Sequence, residues 1–105
     1  MTDQIIQGFS RNDDGDVRVH VSRGYSVLRD FIETELSPRH TAEVRSLVDA
    51  ALAGGQADDA TYNVFSIEVD ENHTTIEFLY DDSRRLVLPT GEFADILRQY
   101  EEFLG

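Results

Sequence analysis

The stretch Asn12-Asp13-Asp14-Gly15-Asp16 sets oxygen-bearing side chains at positions 12, 14 and 16, the alternation that opens a calcium-binding loop. Such a loop also needs glycine at its sixth position and a bidentate glutamate at its twelfth. Here glycine is fourth, and the twelfth position is Arg23. The cluster therefore reads as a solvated hairpin turn built from residues that tolerate positive φ. His20, His40 and His73 could act as acid–base groups or metal ligands. They fall on a strand, a helix start and a hairpin turn, and no two share HxH or HxxxH spacing. There is no cysteine, no G-x-S-x-G elbow and no glycine-rich phosphate loop. Paired carboxylates could run glycosidase chemistry only across a cleft with opposed geometry. No catalytic residue, cofactor or metal is expected.

What remains is charge. The 105 residues carry 21 acidic and 9 basic side chains, a formal net charge of −12, and every basic residue is arginine. Acidic doublets stand at Asp13-Asp14, Asp58-Asp59, Asp70-Glu71, Asp81-Asp82 and Glu101-Glu102, all but the last in expected turns or loops. Arg84-Arg85 follows Asp81-Asp82 and is expected to be neutralised by it. This balance argues against nucleic-acid or anionic-membrane binding, which needs clustered cations. No apolar run approaches a membrane span, and the opening Met-Thr-Asp-Gln is not a signal peptide, so a cytosolic protein is expected. The acid excess serves either solubility or a basic partner. For the second, the expected contact residues are Asp13, Asp14, Asp16, Asp58, Asp59, Asp70, Glu71, Asp81 and Asp82.

The elements that would position these acids follow from periodicity. One domain is expected from the length. Residues 4–9 and Val17–Val21 flank the Asn12–Asp16 cluster as a hairpin, with Val17, Val19 and Val21 at period two. A helix is expected over 27–36, capped by Ser26, with Val27, Leu28, Phe31, Ile32 and Leu36 inward and Arg29, Asp30, Glu33 and Glu35 outward. Ser37-Pro38 opens a second helix running to about residue 53, and Gly54-Gly55 ends it. Its stripe is Val44, Leu47, Val48, Ala51 and Leu52. Residues 54–60 read as a loop, and 62–69, 74–80 and 84–88 as a three-stranded meander stopped by Pro89. Thr90 caps a last helix over 91–104, with Phe93, Ile96, Leu97, Tyr100 and Phe103 on its stripe and the Tyr100 hydroxyl able to reach a surface. The fold class is α+β: an antiparallel sheet of about five strands, hairpin plus meander, covered by three helices in the order ββααβββα.

Two stretches carry a resemblance. Phe65-Ser66-Ile67-Glu68-Val69 and Ile76-Glu77-Phe78-Leu79-Tyr80 lead into Leu86-Val87-Leu88-Pro89-Thr90-Gly91-Glu92-Phe93 and end on Tyr100-Glu101-Glu102-Phe103-Leu104. A meander, an L-P-x-x-E-F helix start and a closing Y-x-x-F-L resemble small acidic immunity proteins of bacterial contact-dependent growth-inhibition systems. Residues 17–36, with Arg23-Gly24-Tyr25 before the first helix, also resemble the uncharacterised YacL-type proteins. The first resemblance implies a protein that binds and silences the C-terminal toxin domain of its cognate partner, a basic nuclease whose cleft an acidic surface would block. The second implies a housekeeping or regulatory binding domain. A small enzyme using an acidic pair is the third reading.

Overall fold

The computed structural model describes residues 5–105. The opening Met-Thr-Asp-Gln, including the first residue of the expected hairpin, lies outside them. The chain runs β1 (Ile6–Arg11), β2 (Val17–Val21), α1 (Ser26–Glu35), α2 (Pro38–Gly54), β3 (Asp58–Thr61), β4 (Phe65–Val69), β5 (His73–Phe78), β6 (Arg85–Pro89) and α3 (Thr90–Leu104).

The α+β class, the three helices and their order among the strands stand as the periodicity predicts. The strands are not one sheet, however. β1 and β2 pair antiparallel as a separate two-stranded ribbon, and β3-β4-β5-β6 form a four-stranded antiparallel sheet. β3 occupies the end of the expected 54–60 loop and Thr61, stopping just before the expected 62–69 strand. Its side chains are polar, so they give no period-two signal, yet Ala60 pairs with Ile67 and packs against the core. The Tyr62 N–H donates to the Phe65 carbonyl at 2.9 Å and closes the turn into β4.

α1 buries Val27, Leu28, Phe31 and Ile32, while α3 buries Phe93, Ile96, Leu97 and Tyr100. They meet the inner face of the sheet, where Phe65, Ile67, Val69, Ile76 and Leu88 are buried. Phe31 meets Phe65 edge-on with centroids 5.8 Å apart. The Tyr100 hydroxyl does not reach a surface; it donates to the Leu36 carbonyl at 2.9 Å. Leu52, expected inward on α2, is exposed.

The caps differ in detail. Ser37 caps α2 as expected, its hydroxyl accepting from the His40 N–H at 3.2 Å, with Pro38 following. Ser26 is instead the first residue of α1, and Tyr25 stands at the N-cap without a side-chain bond. Thr90 likewise lies inside α3, behind Pro89. Its side chain is buried and turned to the β4–β5 turn, where it donates to the Asp70 carbonyl at 2.7 Å. At the other end of α2, Gly55 takes φ 71° and donates its N–H to the Ala51 carbonyl at 2.8 Å. A Cβ there would be strained and would stand 2.9 Å from Glu71 Oε2. Gly55→Ala is expected to cost about 1–2 kcal/mol in urea unfolding, from the left-handed backbone.

The acids of α1 are not a solvated face. Glu33 Oε2 accepts the Val19 N–H at 2.8 Å, tying α1 to β2. Glu35, expected outward, is 2% exposed. Its Oε2 accepts the N–H groups of Val64 at 2.9 Å and Phe65 at 3.0 Å. Those two donors head β4 beneath α1, and a carboxylate satisfies both where water does not reach. Asp30 pairs with Arg29 at 3.0 Å and Arg84 at 2.5 Å. Burial raises the Asp30 carboxyl, but the hydrogen bonds from Arg84 and Arg29 outweigh it and hold it below the usual carboxylate range. A lowered folded-state value stabilises the protein above that range, and the stability is lost as pH falls through it. Asp30→Asn should therefore flatten the acid limb of stability measured by denaturant unfolding below about pH 5.

Candidate functional site

Alternate residues of the four-stranded sheet face away from the helices. Registered across it are Thr61, Ser66, Glu77 and Arg85 in one row and Asp59, Glu68, Thr75 and Val87 in the next. Among the described residues no helix covers this face, and Asp59, Glu68 and Val87 are exposed. Asp59 and Glu68 are directly opposed, an arrangement of like charges that costs stability in a sheet.

Four of the nine expected contact acids gather at this end of the sheet. Asp58 and Asp59 open β3, and Asp70 and Glu71 lie in the β4–β5 turn. With Glu68 and His73, three of them line a shallow open depression of about 220 Å³. Glu71 leans the other way, toward Gly55 at the end of α2. Asp70 Oδ1 accepts the N–H groups of Asn72 at 2.8 Å and His73 at 2.7 Å. Those two backbone bonds hold its carboxyl below the usual range, so it stays anionic well into acid.

The other five acids are elsewhere. Asp81 and Asp82 occupy the β5–β6 turn, at the opposite end of the sheet from the β4–β5 turn. The Ser83 hydroxyl and N–H bond to Asp81 Oδ1 at 2.6 and 3.0 Å and lower its carboxyl likewise. Asp13, Asp14 and Asp16 sit at the tip of the separate ribbon. There Asn12 Oδ1 accepts the N–H groups of Asp14 and Asp16 at 3.0 and 2.9 Å, so this oxygen stitches the turn. Among the described residues, no three His, Cys, Asp or Glu side chains are arranged to hold a metal ion.

The pairing of charges divides the acids into two populations. Arg18, Arg29, Arg39, Arg45, Arg84, Arg85 and Arg98 lie within 4.0 Å of Asp30, Glu33, Glu43, Asp49, Glu77, Asp95, Glu101 or Glu102. These are acids of the helices and Glu77 near the end of β5. Among the described residues, none of the nine expected contact acids has an arginine within that distance. Among the described residues Arg84 and Arg85 make no ion pair with Asp81-Asp82 within 4.0 Å; they reach Asp30 and Glu77 instead, and Arg84 acts on Asp81 only as a nearby charge.

Glu68 was missed as a contact residue, although its place between buried Ile67 and Val69 gave the signal. Of the histidines, His20 bonds Ser10 at 2.8 Å, and His40 donates from Nδ1 to the Glu35 carbonyl at 2.8 Å. His73 lies in the acidic depression.

Comparison with protein-family models, with curated proteins and with solved structures finds no match to this chain. No helix among the described residues is long and apolar enough to cross a membrane.

Proposed function

We propose that this protein is a cytosolic immunity protein that binds a basic, nuclease-type toxin domain and silences it by direct contact. The observation that carries this reading is the segregation of charge. Arginines pair with most acids of the helices, while among the described residues Asp58, Asp59 and Asp70 have none within 4.0 Å and converge with Glu68 on one uncovered rim. An opposed Asp59–Glu68 pair is a standing electrostatic cost that a cationic partner relieves. The rim thus acts as a phosphate mimic, steering a nucleic-acid-binding cleft toward it and occupying that cleft.

The test is genetic and biochemical together. The neighbouring gene should encode a large secreted protein with a toxic C-terminal domain. Co-expression of the present chain should protect cells from that domain, and the two should bind with nanomolar Kd. A neighbour's toxic domain that neither binds nor is neutralised overturns the proposal.

A further inference from the structure

The two edges of the four-stranded sheet are not equivalent. Backbone bonds join Thr90 N–H to the Asn72 carbonyl and Phe78 N–H to that of Arg84, at 3.1 and 3.0 Å. In an antiparallel ladder bonded and non-bonded pairs alternate. With His73 opposite Pro89 and Thr75 opposite Val87, the backbone groups of Leu86 and Leu88 therefore serve β5. Those of Arg85, Val87 and Pro89 point out of the sheet, along an edge with no further strand among the described residues. Val87 is 49% exposed there. At the other edge, the same alternation turns the Asp59 N–H outward, but Asp58 Oδ1 accepts it at 2.8 Å. That edge is acidic and has one donor already capped; the β6 edge has neither protection.

We propose that β6 pairs with β6 of a second copy of this chain, antiparallel about a two-fold axis at Val87, so that two four-stranded sheets join into one. The sequence Arg85-Leu86-Val87-Leu88-Pro89 is self-complementary about that axis. Val87 meets its own symmetry mate, Leu86 meets Leu88, and Arg85 meets uncharged Pro89. The bonded positions would be the outward-facing ones. Two bonds form between the Val87 residues, and each Arg85 N–H donates to the opposite Pro89 carbonyl. Proline's missing donor falls at the strand end, where it also limits further pairing. Centring the pair on Leu86 instead would bring the two Arg85 side chains into diagonal contact, a like-charge neighbour that the Val87 register avoids. Of the rim acids, Asp58 and Asp59 lie three strands away, roughly 14 Å at ordinary strand spacing and beyond the Debye length of about 8 Å in physiological salt, and Glu68 lies two strands away.

This inference stands independently of the immunity reading, and salt separates the two. Each copy carries −12, so self-association should strengthen as salt rises, whereas a contact with a basic toxin should weaken. Sedimentation velocity on the full chain, from micromolar to millimolar concentration, should show a monomer–dimer equilibrium. Val87→Pro removes an outward N–H without touching the bonds to β5, and Val87→Arg places like charges on the axis. Both should stay monomeric across that range, with far-UV circular dichroism and melting temperature close to those of the unsubstituted chain. A chain that stays monomeric throughout, or a dimer that Val87→Arg leaves undiminished, overturns the proposal.

Discussion

Replacing Glu35 with alanine should lower the unfolding free energy by about 3–5 kcal/mol, read from the urea midpoint at constant slope. The carboxylate accepts from Val64 and Phe65 N–H at 2.9 and 3.0 Å in a site only 2% exposed. Each charge-assisted bond is worth about 1.5–3 kcal/mol, and each donor left buried without an acceptor costs about 1–3 kcal/mol. These contributions overlap, so their full sum is not expected. Glu35→Gln keeps one acceptor oxygen and should fall between alanine and the native residue. Among the described residues Glu35 Oε1 has no hydrogen-bond partner, so the conservative variant breaks no bond there but buries an amide NH2 without an acceptor, which keeps it below the native residue. A loss below about 0.5 kcal/mol for the alanine variant would show that the head of β4 does not depend on this carboxylate.

Reversing Asp58 and Asp59 together to arginine should slow association with the toxin domain by about tenfold or more at low ionic strength. The substitution turns two negative charges into two positive ones at the rim that also holds Glu68 and Asp70. Steering acts before contact, so the change belongs to the on-rate and should shrink toward unity near 1 M salt, where the Debye length is about 3 Å. Reversing Asp81 and Asp82, at the far end of the sheet, should leave the on-rate closer to its original value. Stopped-flow mixing at two salt concentrations separates these cases. If the β3 double reversal leaves the rate unchanged, the rim is not the docking surface.

The fold was legible wherever apolar side chains repeat. Val17, Val19 and Val21 gave β2, the Phe93–Ile96–Leu97–Tyr100 stripe gave α3, and Ser37-Pro38 with Gly54-Gly55 bounded α2. β3 was not legible, because Asp58, Asp59 and Thr61 are polar at an exposed edge and only its backbone pairing to β4 defines it. For the same reason the division into two sheets was invisible: periodicity shows which residues face a core, not which strands share hydrogen bonds. Glu35 was misread because its charge was weighed above its spacing: it stands four residues after Phe31 and three after Ile32, on the buried stripe of α1, and nothing local reveals the backbone donors about 30 residues away that it serves. The acidic doublets were all visible as composition. Their grouping was not, since it follows from the antiparallel path that returns β4 beside β3.

Thr90 joins the rim to the rest of the molecule. Its hydroxyl donates to the Asp70 carbonyl at 2.7 Å and lies 3.0 Å from the Thr74 hydroxyl, which is therefore the donor in that pair. The Thr90 N–H donates to Asn72 as well, at 3.1 Å. The turn that carries Asp70 is thus anchored from below by fully buried side chains of α3 and β5. A loop that must be ordered on binding spends part of its contact energy on lost conformational freedom. Here that ordering is complete before any partner arrives, so contacts made by the Asp70 carboxylate translate into residence time rather than into stiffening the turn.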